Sequence, residues 1–134
     1  MSDFNFPIRV YYEDTDSGGV VYHSQYLNFM ERTRTEWLRN LGFEQDVLRE
    51  EYNCIFVVKK IEIEFIKPAR FNDALIVSAQ LKENAFASFL LTQNIINQKN
   101  RETLCKAEVK IAAVYSDTFK PRRIPELILT GVKA

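Results

Sequence analysis

Histidine is nearly missing from this chain, with one residue, His23, in 134. Cysteine is almost as scarce, at two, Cys54 and Cys105, far apart in sequence. One histidine and no paired cysteines cannot fill a usual zinc site, so no metal is expected. Each cysteine lies in an apolar, strand-like run. The opening "MSDFNFPIRV" has an early acid and neither the basic nor the apolar region of a secretory signal. Two buried, reduced thiols in a cytoplasmic protein are therefore expected, neither of them disulfide-bonded or catalytic. Excess charge is missing as well: 18 basic and 18 acidic residues give a formal net charge of zero. That balance supplies no general attraction to nucleic acid or to an anionic membrane, and little self-repulsion to oppose oligomerisation. No apolar run approaches the roughly 18 residues of a membrane span, so no membrane insertion is expected. Repeats, low-complexity tracts and flexible linkers are absent too, and the length suits one domain, 1–134.

What is present is ordinary globular composition, 46% hydrophobic and 27% charged, with two different periods. Phe6 to Glu13 alternates as a strand does, with Ile8, Val10 and Tyr12 on one face. From Ser24 the period becomes helical: Tyr26, Phe29, Met30, Thr33, Trp37 and Leu41 form one stripe. Glu31, Arg32, Arg34, Thr35, Glu36 and Arg39 supply its polar side. Ser24 is the expected N-cap and Gly42 the residue just past the end. A short second helix is expected over Glu44 to Glu51. The remainder alternates as strands: Ile61–Phe65, Leu75–Leu81, Phe89–Ile96 and Cys105–Ala113. The polar reversal "NQKNRE" makes the last two a long hairpin. A strand, one long helix and then four strands is an α+β order. Its economical packing is a curved antiparallel sheet of about five strands wrapped around the helix. Such a sheet has unpaired edges, which a homodimer removes.

The stretch between first strand and helix carries more chemistry than a connector needs. Glu13, Asp14, Asp16, the pair Gly18–Gly19 and His23 fall within eleven residues. A bland reading is open: acids favour the positive end of a helix, and glycines serve a turn. Calcium fits poorly, because the twelfth position from Asp14 is Gln25 where a bidentate Glu is required. The glycines do not make a phosphate loop, since no Gly-Lys-Ser/Thr follows. A catalytic reading accounts for all the parts. A carboxylate there can act as general base or nucleophile. The first N–H groups of a helix lack internal partners and can take a developing oxyanion. Glycines let a substrate carbonyl come close, which makes Gly19, Val20 and Tyr22 expected substrate contacts.

"YYEDTDSGGVVYHSQYLNFMERTRTEWL", with the later "FVVKKIEIEFIKPARFND" and "FKPRRIP", closely resembles the hotdog-fold acyl-CoA thioesterases. The branch it is similar to is the Tol-Pal-associated one of the 4-hydroxybenzoyl-CoA thioesterase family. The resemblance implies a hotdog fold over the whole chain, and acyl-CoA as substrate without a cofactor. It also implies a homodimer with two sites at its interface, commonly paired into a homotetramer. The family's catalytic carboxylate falls on Asp16 and its histidine on His23, with the carbonyl-polarising amide at or near the His23 N–H. Asp14 and Glu13 are left structural or supporting, Tyr11 and Tyr12 as strand packing, and Glu31 as a solvated or locally paired charge. Lys120, Arg122 and Arg123 are candidate CoA-phosphate ligands, as are Lys59, Lys60 and Arg70. Rival readings are a thioesterase for acyl carrier protein and a non-catalytic scaffold for lipid-synthesis or envelope-associated proteins.

Overall fold

Alternating apolar residues along four strands bury one face of a sheet, and one helix covers that face. The computed structural model describes residues 3–133. In chain order it forms β1 (Phe4–Arg9), a 3-10 turn (Tyr12–Asp14), α1 (His23–Asn40) and α2 (Gln45–Tyr52). Then come β2 (Cys54–Phe65), β3 (Ala74–Asn84), β4 (Ser88–Asn97), β5 (Thr103–Tyr115) and α3 (Glu126–Lys133). The five strands make one antiparallel sheet in the order β1-β3-β4-β5-β2. The expected β4–β5 hairpin is present, with Leu91 opposite Val109 and Ile95 opposite Cys105. None of the described helices is long and apolar enough to cross a membrane.

Leu75, Val77, Ala79 and Leu81 of β3 are buried, as are Phe89, Leu91 and Ile95 of β4 and Cys105, Ala107, Val109 and Ile111 of β5. They meet Tyr26, Phe29, Met30, Trp37 and Leu38 of α1. Fully burying a side chain such as Phe29 or Leu91 contributes about 1.5–3 kcal/mol. Trp37 meets Phe89 edge-on at 5.9 Å, and Phe89 leans on Phe56 at 5.7 Å, so aromatic contacts tie α1 through β4 to β2.

Several boundaries differ from the alternation pattern. The first strand ends at Arg9, and Val10 exchanges backbone bonds with Asn72 and Asp73, which turns the chain out of the sheet. Tyr12 thus lies on a 3-10 turn and is 75% exposed; Tyr11 is exposed beside it. Neither packs a strand. Tyr12 instead stacks on Phe71, 3.8 Å between ring centres. Ser24 is not the N-cap: Tyr22 is, and the helix starts at His23. Gly42 does end the helix, with φ +99°. Its N–H reaches Arg39 O while that of Phe43 reaches Leu38 O, the Schellman pairing. Arg34 belongs to the interior, not to the polar side, and donates to Gln93 Oε1 at 2.9 Å. α3 has no counterpart in the sequence reading; Ile128 and Val132, four apart, bury its inner face, and Ile124 just ahead of it is buried as well.

Candidate active site

The segment from Val10 to Tyr22 folds back on itself before α1 begins. Asp14 N–H donates to Tyr11 O and Thr15 N–H to Tyr12 O, closing the 3-10 turn. Thr15 then bridges Val21, and inside that bridge Asp16 N–H donates to Val20 O and Gly19 N–H to Asp16 O. The result is a tight reversal over Asp16–Val20. Gly19 sits at φ +79°, where L side chains are strained. Gly18 answers a different need. Its N–H donates to Asp16 Oδ1 at 2.8 Å, and a Cβ there would stand 3.2 Å from that oxygen. One glycine permits the turn; the other leaves room for the carboxylate.

Asp16 is exposed, and its Oδ2 has no hydrogen-bond partner among the described residues. The reversal is docked on the chain leaving β2. Val21 N–H donates to Ala69 O at 2.9 Å, and Val20 bridges Arg70. Tyr26 Oη accepts the Ala69 N–H at 2.9 Å, and burial pushes the Tyr26 hydroxyl above its usual pKa. The first turn of α1 follows at once. Gln25 N–H donates to Tyr22 O, whereas the N–H groups of His23 and Ser24 have no acceptor among the described residues. They are the orphan donors of a helix start. The His23 ring rests 4.9 Å from Phe65. A cavity of about 210 Å³ lies there, lined by Val20, Val21, His23, Tyr26, Phe65, Ile66, Lys67 and Pro68.

Asp16, Gly19, Val20, Tyr22 and His23 lie on this one short segment, and of them Val20 and His23 line the cavity. The fold does not bring Lys120, Arg122 and Arg123 to them. Those residues follow β5, where Tyr115 pairs with Cys54, the opposite end of β2 from Phe65. At roughly 3.3 Å per residue, twelve residues of β2 span about 36 Å. Arg122 donates to Tyr52 O and to Arg123 O and lies over the Tyr115 ring. Arg123 pairs with Glu126 and covers Phe86. Lys120 alone of the three makes no side-chain bond or ion pair among the described residues. Lys60, in the middle of β2, pairs with Glu62 at 2.9 Å, while Arg70 adjoins the loop. Glu31 is exposed and takes a weak bond from Thr35. Phe65, Pro68 and Ala69 carry no signal of a site in the sequence, because tertiary contacts to His23 and Tyr26 bring that end of β2 to α1. Gln25 carries a local one, since a Gln three residues past an N-cap is a known position for capping contacts.

Comparison with known proteins agrees with this architecture. Residues 10–131 match the model of the "Thioesterase-like superfamily". The chain is 46% identical to the acyl-CoA thioesterase YbgC of Haemophilus influenzae, over 92% of this chain and 89% of that one. It is 43% identical to the acyl-CoA thioester hydrolase YbgC of Escherichia coli, over 97% and 96%. The solved structure of a 1,4-dihydroxy-2-naphthoyl-CoA thioesterase from Synechocystis superposes with a TM-score of 0.91 over 98% of this chain and 96% of that one; at 21% identity this is a likeness of fold. A match along nearly the whole chain, on the sheet-wrapped helix described above, makes this protein a hotdog-fold member of the thioesterase-like superfamily.

Proposed function

We propose that the protein hydrolyses acyl-CoA thioesters, R–CO–S–CoA, to a carboxylic acid and free CoA at the Asp16–His23 segment. Within the superfamily we assign it, from its loop motif, to the Tol-Pal-associated branch, acting in the cytoplasm. One observation carries the site assignment. A carboxylate with a free oxygen and two unpaired helix N–H groups occur on a single segment held by backbone bonds. A thioester carbonyl set against the His23 and Ser24 N–H groups has its developing negative charge stabilised. Asp16 then either takes a proton from a water that attacks the carbonyl carbon, or attacks it directly to form an acyl anhydride that water opens. In both routes the C–S bond breaks, and the departing thiolate takes a proton, a step we assign to His23, the single histidine of the chain. We assign Gly19, Val20 and Tyr22 as substrate contacts beside it; Val20 lines the cavity.

Asp16 and His23 are open to water in a single protomer, and a base works best where water is excluded. A second copy supplies that cover in our reading. β2 is a twelve-residue edge strand with one side unpaired, whereas the other edge, β1, is six residues long and contains Pro7. Antiparallel pairing of two β2 edges would set the Phe65 end of one beside the Cys54 end of the other. A groove of about 470 Å³ between α2, the start of β2 and Phe119 lies at that end. It would then face the partner's His23 and offer room for the acyl group, and two such dimers could form a homotetramer.

The test is thiol release from a panel of acyl-CoA esters by purified protein, repeated with the same acyl groups on acyl carrier protein. Turnover of the CoA esters, lost in Asp16→Asn, is expected. Turnover of carrier-bound chains alone would move the substrate to the carrier protein, and no turnover of either would leave the scaffold reading.

A further inference from the structure

Asp14 is the buried acid of the loop, at 4% exposed, while Glu13 and Asp16 on either side face solvent. No cation pairs with it among the described residues. Neutral donors hold its carboxylate instead. Oδ2 accepts the Tyr11 N–H at 2.9 Å, and Oδ1 accepts the Gln25 side-chain amide at 2.6 Å. Gln25 Oε1 in turn accepts Asn28 Nδ2 at 2.5 Å. The Gln25 nitrogen is the atom facing Asp14, and it donates to the carboxyl oxygen. The backbone carbonyl of Asp14 takes the N–H of Tyr22, the N-cap of α1. One residue therefore touches the chain leaving β1, the start of α1 and, through Gln25, its first turn.

Burying a carboxylate with no cation is costly; its bond from the Tyr11 N–H caps the 3-10 turn, and its bond from Gln25 reaches beyond that turn. Loop closure is already provided by the Thr15–Val21 bridge and the Tyr22 to Asp14 backbone bond. What the side chain adds is a link across the loop mouth. Between its two ends hang the Asp16 reversal on one side and the free His23 and Ser24 N–H groups on the other. A misplacement of about 1 Å between such groups can cost on the order of 10²-fold in rate.

We propose that Asp14 is a positioning residue: acting through Gln25 and Asn28, its carboxylate sets Asp16 at a fixed separation and angle from the helix-start N–H groups. The proposal rests on the thioesterase reading above. Asp14 touches no substrate and moves no proton in it.

The experiment is a double-variant cycle of Asp14→Ala and Gln25→Ala, with Asp14→Asn as the conservative variant. Steady-state hydrolysis of a short acyl-CoA and urea unfolding are measured for each. Asp14→Ala should lower kcat about 10- to 100-fold with KM within about threefold, because orientation and not binding is lost. Gln25→Ala should lose less, and the double variant should lose no more than Asp14→Ala, since both changes cut one link. Asp14→Asn should recover most of the rate: the amide it introduces can accept from the Tyr11 N–H and donate to a flipped Gln25 side chain, whose nitrogen then donates to Oδ1 of an Asn28 flipped in turn. Losses that multiply in the double variant, or a kcat for Asp14→Ala that matches wild type, would overturn the proposal. So would a fall in rate that only tracks the unfolded fraction. If Asp14→Ala fails to fold, Gln25→Ala and Asp14→Asn carry the test, because both leave the loop's own backbone bonds in place. If wild type hydrolyses no acyl-CoA, the functional reading fails separately, and absence of Asp14–Gln25 coupling in urea would still sink the link.

Discussion

Asp16 and Gly18 share one small volume. The carboxylate folds over the Gly18 N–H, so a methyl group at position 18 meets Oδ1 before it meets anything else. Gly18→Ala should therefore fold and lose several-fold in kcat, with little change in its urea midpoint. Gly19→Ala should show the opposite balance. Its positive φ costs an L residue roughly 1–2 kcal/mol, read as a lower urea midpoint. Asp16→Asn keeps shape and loses basicity, and removal of a general base typically costs about 10²- to 10⁴-fold. The cysteines behave in the contrary way to a reactive group. Burial pushes the Cys105 thiol up to about 12 from an ordinary 9.0, and it pushes Cys54 up as well. A thiol that stays protonated in the folded state contributes stability that is whole below pH 9. That stability is lost as pH climbs from about 9 toward 12, because the unfolded chain ionises first. Native protein at pH 8 should resist iodoacetamide at both positions and keep its activity. A catalytic thiol would be blocked and turnover lost.

At the scale of elements, α1 is pinned to the sheet by a polar contact inside an apolar interface. Arg34 is 8% exposed and Gln93 fully buried. Gln93 Oε1 accepts from Arg34, and its amide nitrogen donates to Met30 O and Ser78 O, both at 3.2 Å. Burial lowers the Arg34 pKa from its usual value, the sign of a cation held at a cost. Gln93→Leu leaves that guanidinium without its acceptor and removes the amide that bridges Met30 O and Ser78 O, and should destabilise by about 2–4 kcal/mol. Arg34→Met removes the cation and should cost less, and Arg34→Met/Gln93→Leu should be more stable than Gln93→Leu alone. Urea midpoints of the three variants check the order. A Gln93→Leu protein as stable as wild type would show that the contact carries no weight.

For the whole molecule the decisive feature is the bare length of β2. Val58 sits mid-strand, 46% exposed, next to a register shift against β5. If two copies join along this edge, Val58→Lys should weaken the dimer and lower turnover together, each half-site losing its cover. Light scattering and acyl-CoA hydrolysis at the same concentrations test this. A variant that is monomeric yet fully active would remove the shared-site arrangement. The basic segment gives a second check. Arg122→Ala should lower stability, because it releases Tyr52 O and the Tyr115 ring. Lys120→Ala has no such bonds to lose, so a rise in KM with kcat unchanged would report contact with CoA phosphate reaching over from a partner.

The residues by themselves determined the α+β order, the α1 stripe and the β4–β5 hairpin, and they point to Asp16, Gly19 and His23 as the site we propose. Each of these is a local signal: side-chain period, a turn residue, or reactive groups close in sequence. Local signals also misled where tertiary packing outbid them. Tyr12 continues an alternation but leaves the strand because Asn72 and Asp73 take the backbone bonds of Val10. Arg34 lies on the polar side of the helix pattern but is drawn in by Gln93, a buried polar residue on the inner face of β4. Only the tertiary structure decided that Phe65 and Ala69 stand against α1, that Asp14 reaches Gln25, and that the Lys120–Arg123 segment lies a strand's length from Asp16. Those relations depend on which strands pair and in what register. Pairing is settled by burial of the entire inner face at once, a cooperative outcome that no short stretch of sequence contains.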